Sequence, residues 1–221
     1  MRTKIENYIT QAIVTTIAIQ ISILQSMASL VKKDIANQIS AGIEAKKNLL
    51  SEPYLNLIAK IAKIIITAYK QGNKILLCGN GGSASDVQHI EGELVGRFKK
   101  ERKPLPAIAL TANTSTITAI GNDYGYNDIF KRGIEAYGNT GDALIAVSTS
   151  GNSKNVILAA KQAKKQKLTV IALLGGSGGK LKELADIAFI VPSSDTPRIQ
   201  ECHILIGHIL CDLIEKGVFD E

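Results

Sequence analysis

The 221 residues suit one domain of ordinary size with room for an appended segment, and 45% hydrophobic with 21% charged residues are the proportions of a globular chain with a real core. The net charge of +6 is modest, tryptophan is absent and aromatics make up only 5%, so there is little to stack on bases and nucleic acid is not expected as a partner. The cysteines Cys78, Cys202 and Cys211 show neither paired nor metal-type spacing, which suggests reduced thiols in a cytoplasmic protein.

Residues 1–50 read as helix, with Ile5, Ile9, Ile13, Val14, Ile17, Ile21 and Leu24 near a helical period. The apolar run from Gln11 to Val31 is broken by Gln11, Thr15, Thr16, Gln20, Ser22, Gln25, Ser26 and Ser29. It makes a poor membrane span, for which about 20 predominantly apolar residues are needed. Glu6 and the lack of a cleavage site argue against a signal peptide. No membrane partner is expected, and the run reads as an amphipathic helix that packs in an oligomer. Ser51-Glu52-Pro53 breaks the pattern and opens a second helix to about Lys70, since proline is tolerated in a first helical turn. The expected division is a helical segment, 1–50, and an α/β domain, 51–221.

From Lys74 short apolar runs alternate with helical ones. Strands are predicted at Ile75–Gly79, Ala107–Leu110, Ala143–Ser148, Thr169–Leu174 and Ile187–Val191. Helices are predicted at about 84–98, 114–121, 127–137, 153–166 and 178–185, with a last one from roughly Pro197 to Lys216. Near-continuous apolar strands suit a parallel sheet covered on both faces. The fold class is therefore α/β, a doubly wound five-stranded parallel sheet flanked by helices, with N-terminal helices. Ligands of such sheets bind beyond the carboxyl ends of the strands.

The first strand runs into Cys78-Gly79-Asn80-Gly81-Gly82-Ser83-Ala84-Ser85. Glycines allow a tight turn and close approach to a ligand, and Ser83 or Ser85 can cap a helix whose N-terminus favours an anion. The turn matches neither the GxGxxG nor the GxxxxGK[ST] pattern. Along that helix His89 and Glu93, four apart, share a face. Such a pair is more often a surface hydrogen bond than a site, so its weight depends on the segments downstream. Ser148-Thr149-Ser150-Gly151-Asn152-Ser153 ends the third strand and carries more hydroxyls than an N-cap uses, which favours a phosphate cradle. With no Walker lysine or evident Mg²⁺ motif, a phosphorylated small molecule is favoured over ATP. The last helix offers Gln200 and His208, with His203 off their face and read as structural. Eight residues put about 12 Å of rise between Gln200 and His208. Either a neighbouring chain supplies one of them, or they serve different ends of a ligand.

CGNGGSASDVQHIEGE at 78–93, GNDYGYND at 121–128, STSGNS at 148–153 and TPRIQECHILIGH at 196–208 together resemble the phosphoheptose isomerases of the sugar-isomerase (SIS) family, flavodoxin-like in fold. The resemblance spans approximately residues 53–216, and the helix before about residue 25 is longer than is usual for that family. It implies interconversion of sedoheptulose 7-phosphate and D-glycero-D-manno-heptose 7-phosphate through an enediol, the first step toward nucleotide-activated heptose. It implies one zinc ion per active site, held by His89, Glu93, Gln200 and His208, with Glu93 and His208 as the acid/base pair. It assigns the phosphate to Ser148, Thr149, Ser150 and Ser153, and the sugar to Asn80, Gly81, Gly82, Asn122, Asp123 and Gln200, with Arg97 contributing. It also implies a homotetramer with active sites between subunits. Two rival readings are a non-catalytic SIS protein that binds the replication initiator DnaA and an isomerase of another sugar phosphate. The presence of both Glu93 and His208 argues against the first.

Overall fold

The computed structural model describes residues 2–220; the side chains of Arg2, Lys4, Ile5, Glu6, Thr10, Ala12, Ile13, Ala18 and Ile23 lie outside that description, and with them the predicted roles of Ile5 and Ile13. Two compact units are present, Met1–Glu44 and Ala45–Glu221. The first consists of most of a single helix, α1 (Arg2–Asn48), whose apolar side chains Ile9, Val14, Ile17, Ile21 and Leu24 are all exposed. By length and composition alone α1 is long and apolar enough to cross a membrane, with a stretch of mean hydropathy 1.6, none of it buried. Core helices and leader segments share that length and composition, and glutamine, threonine and serine interrupt this run throughout.

The second unit opens on the end of α1 and then α2 (Glu52–Lys70), which has proline in its first turn as predicted. It continues as β1 (Ile75–Cys78), α3 (Gly82–Val95), β2 (Ala107–Ala109), α4 (Thr114–Asp123), a 3₁₀ turn at Tyr126–Asp128, α5 (Ile129–Tyr137), β3 (Ala143–Ser148), α6 (Lys154–Lys165), β4 (Thr169–Gly175), α7 (Leu181–Leu184), β5 (Ile187–Val191) and α8 (Thr196–Phe219). The strands form one parallel sheet in the order β2-β1-β3-β4-β5. Its order reverses between β1 and β3, the switch point where ligands of open α/β sheets bind.

Successive strand residues enter different cores. Ile75, Leu77, Ile145, Val147, Ile171 and Leu173 pack with α2, α3 and α8 on one face. Leu76, Cys78, Leu144, Ala146, Val170 and Ala172 pack with α5 and α6 on the other. Burial on both faces explains why these strands read as unbroken apolar runs rather than alternating ones.

Two boundaries move for physical reasons. Helix α3 starts at Gly82 rather than at about 84, because the cap position is taken by Gly81 at φ 55°; neither Ser83 nor Ser85 caps it. At its other end it stops at Val95 and not near 98, giving way to an irregular segment that Glu215 and Arg102 organise.

Candidate active site

Helices α3 and α8 lie against one another at Gly207 and Ile90. A β-carbon at Gly207 would stand 2.7 Å from Ile90 Cδ1, so glycine lets the two helices approach here without displacing the Ile90 side chain. The consequence falls on the next residue. His208 Nε2 comes to 3.4 Å from His89 Nε2, which is itself 3.0 Å from Glu93 Oε1. The two imidazoles meet edge to face with ring centroids 4.9 Å apart, and Phe98 stacks on His208 with centroids 5.8 Å apart.

One donor atom from each of His89, Glu93 and His208 lies within 4.8 Å of the others. Two imidazole nitrogens and a carboxylate oxygen are the donor types of a catalytic zinc site that keeps a coordination position open. Bonds of about 2.0–2.2 Å to one ion would require donor separations close to those found, so the residues fit the metal. One turn before His89, Asp86 has a buried Oδ2 with no partner among the described residues. Burial pushes the Asp86 carboxyl up, partly opposed by the charge of His89.

Gln200 is placed elsewhere. Its amide lies over Gly82, at the start of α3, about 10 Å of helix rise from the level of His89. Within one chain, Gln200 and the His/Glu cluster thus sit toward different ends of α3, as the eight-residue spacing predicts. His203 is buried on the other side of α8, with Nε2 donating to the Leu174 carbonyl at 3.0 Å. Desolvation pushes its pKa down to about 4 against the opposing effect of that bond, so it is a neutral core residue as read from the sequence.

At the switch point the glycine turn and the serine loop are tied together. Asn80 and Asn155 exchange amide hydrogen bonds at 2.8 and 2.9 Å, and the Tyr126 hydroxyl donates to Asn80 Oδ1 at 3.0 Å. Ser148 and Ser153 hydroxyls lie 3.1 Å apart, and Ser153 makes no capping bond; the Val156 N–H donates to Asn155 Oδ1 at 3.0 Å, and the N–H groups ahead of it at the start of α6 are available to an anion. Gly151, at φ 65°, lies so close to the turn after β4 that a β-carbon there would stand 1.9 Å from the Gly178 oxygen. The residues just before each of these glycines border a cavity of about 250 Å³, lined by Thr149, Ser150, Gly176, Ser177, Ser194 and Thr196.

Asn155, Ser177, Ser194 and Thr196 are not among the residues expected from the sequence. The run Gly175-Gly176-Ser177-Gly178-Gly179 directly after a strand was the available signal for this part. Asn122 donates to Asp123 Oδ1 at 2.8 Å at the end of α4, in an exposed position. Arg97 is exposed and lies 3.7 Å from Glu101.

A family model described as "SIS domain" matches residues 21–175. A phosphoheptose isomerase from Clostridium acetobutylicum is 56% identical over 191 residues, which is 86% of this chain and 97% of that protein. The chain belongs to the phosphoheptose isomerase family. Solved phosphoheptose isomerases from Neisseria gonorrhoeae and Francisella tularensis superpose with TM-scores of 0.76 and 0.79 at 41% and 42% identity. They cover 86% and 83% of this chain, and the alignments take in 99% and 97% of their own lengths. Among phosphoheptose isomerases, then, this one carries additional residues beyond what those relatives match.

Proposed function

We propose that this protein interconverts sedoheptulose 7-phosphate and D-glycero-D-manno-heptose 7-phosphate in heptose biosynthesis, with Glu93 and His208 as the acid/base pair. The family membership supports the reaction. The observation that carries the site is the meeting of His89, Glu93 and His208 at one point between α3 and α8. Moving the carbonyl between C1 and C2 requires removing a proton from one carbon and delivering one to the other, while a proton moves between the two oxygens. Groups within hydrogen-bond reach of that pair of carbons can do both. Glu93 is a carboxylate and His208 an imidazole; one accepts the carbon-bound proton and the other serves the oxygens, and the enediol is the shared intermediate.

The proposed phosphate site is Ser148, Thr149, Ser150 and Ser153 with the start of α6. Asn80, Gly81, Gly82, Asn122, Asp123 and Gln200 orient the sugar, with Arg97 contributing from the rim. Zinc is the proposed cofactor, held by His89, Glu93 and His208, with the Gln200 amide completing the set from an adjoining subunit. The ion would polarise the sugar oxygens. The proposed assembly is a cytoplasmic homotetramer, in which residues 1–50 bury the apolar side chains that α1 exposes. Buried, unpaired Cys78, Cys202 and Cys211 support a reducing compartment.

The test is turnover of sedoheptulose 7-phosphate by the wild type, Glu93→Gln and His208→Ala. Turnover that falls at least about 100-fold in both folded variants supports the assignment. A zinc-supplied, folded wild type without turnover overturns it in favour of a binding protein or another sugar phosphate.

A further inference from the structure

The segment between α3 and β2 has no regular structure over residues 96–106, yet part of it is held by one of the most heavily bonded ion pairs in the described residues. Glu215, on α8 two turns beyond His208, accepts from the backbone N–H of Phe98, Lys99 and Lys100 at 3.1, 2.9 and 2.6 Å, and from Arg102 Nε at 3.0 Å. Arg102 spends its remaining donors on carbonyls. Nη2 reaches Glu93 O at 2.7 Å, and Nη1 reaches Leu94 O at 2.7 Å, Lys103 O at 3.1 Å and Gly96 O at 3.3 Å. Both side chains are almost wholly buried, at 3% and 2% exposure.

A buried ion pair is weak evidence of stability, because desolvation can cancel the attraction and apolar replacements of similar volume are often as stable. What this pair does geometrically is specific. Glu215 satisfies three consecutive N–H groups that lack secondary-structure partners. Arg102 takes the last carbonyls of α3, which no later turn can use. One of those carbonyls belongs to Glu93, and α8 carries His208. The residue whose N–H opens the series, Phe98, places its ring on His208 with an interplanar angle of 20°. Lys99 adds an ion pair to Asp212 at 2.9 Å on the same helix.

We propose that the Arg102–Glu215 pair is a positioning device for the His89–Glu93–His208 cluster: it locks the end of α3 to α8 and holds Phe98 against the His208 ring. This rests on the reading of that cluster as a metal and acid/base site. Neither Arg102 nor Glu215 touches the reacting atoms; they act through the Glu93 backbone and through Phe98. Phe98 is also the apolar ring that touches the cluster, and such neighbours tune a metal site.

The experiment uses the full-length protein with two independent readouts, the zinc affinity by chelator competition and the His208 ring resonances in metal-free protein, assigned with His208→Ala. The variants are Phe98→Leu, Glu215→Gln and Arg102→Lys, each with its unfolding midpoint measured. Phe98→Leu keeps the bulk and is expected to leave the midpoint nearly unchanged, to shift the His208 resonances and to weaken zinc about ten-fold. Glu215→Gln and Arg102→Lys are expected to do the same to both readouts while also lowering the midpoint. Adding Phe98→Leu to Glu215→Gln should cost little further affinity, because the hold on the Phe98 ring is already lost in Glu215→Gln. Variants that lower the midpoint but leave zinc affinity and the His208 signals of the wild type would overturn the proposal. Should the wild type take up no zinc, the metal reading fails separately. The ring resonances then decide: a shift in Glu215→Gln upholds the clamp and no shift refutes it.

Discussion

Gln200 lies over Gly82 so closely that a β-carbon at Gly82 would stand 2.5 Å from Gln200 Nε2. The first residue of α3 and the first turn of α8 are thereby in contact at the glycine turn, while the later turns of the same helices form the His/Glu cluster. The proposed substrate site therefore has one end set by a missing side chain and the other by a metal-type donor set.

Gly82→Ala tests that contact directly. The atoms displaced are the far end of a flexible side chain, so Gln200 gives way and the fold survives. The expected result is a Gly82→Ala protein with a near wild-type unfolding midpoint and kcat/KM lowered about ten-fold, equivalent to about 1.4 kcal/mol of transition-state stabilisation. Unchanged kcat/KM would remove Gln200 from the site.

Metal removal tests the cluster from the other side. Chelation is expected to abolish turnover and zinc to restore it. His89→Ala is expected to lower zinc affinity and activity together, since it deletes one of the three donors. Full activity in exhaustively chelated protein would reduce His89 to a partner of Glu93.

The thiols report on burial. Cys78 and Cys211 are pushed up to about 12 and Cys202 is also raised, chiefly by desolvation in each case. The thiolate is the reactive form, so native protein near neutral pH is expected to resist a thiol reagent at all three positions and to expose them on denaturation. Rapid labelling of Cys202 or Cys211 in the native state would contradict the packing of α8 on one face of the sheet, and rapid labelling of Cys78 the packing of α5 and α6 on the other.

The sheet and most helices were legible because doubly buried strands and helical periods leave an apolar pattern that needs no tertiary information. Glycine in Gly79-Asn80-Gly81-Gly82 and hydroxyls in Ser148–Ser153 likewise marked two ends of strands. What stayed hidden depends on packing between distant segments. The start of α3 turned on the positive φ of Gly81, which a serine-cap pattern does not reveal. Asn155 became visible only through its exchange with Asn80, 75 residues away. The role of Gly207 depends on a helix that crosses it, and that of Glu215 on residues 98–102, more than a hundred positions earlier, folding onto it.

The pH dependence of stability singles out His203. Its native pKa, lowered from 6.5 to about 4 by burial, lies below the unfolded value. Above pH 6.5 the ring is neutral in both states and contributes no pH dependence. As pH falls from 6.5 toward 4 the unfolded chain takes up a proton that the native ring refuses, so stability is lost through that window and the loss levels off below it. A separation from 6.5 to about 4 corresponds to at most about 3 kcal/mol. Glu215 acts lower on the scale: burial alone would raise its carboxyl, but the N–H groups of Lys99, Phe98 and Lys100 and the Arg102 guanidinium hold it below the usual range. Its stabilisation is present above the ordinary carboxylate pKa and is lost as pH falls through the depressed native value. His203→Gln separates the two, since its amide can still donate to the Leu174 carbonyl without taking up a proton. In denaturant unfolding with a chelator present, the stability difference between wild type and His203→Gln should change steadily between pH 6.5 and 4, with the wild type losing more. Parallel curves across that window would show that the His203 ring takes up its proton as readily in the native state as in the unfolded chain.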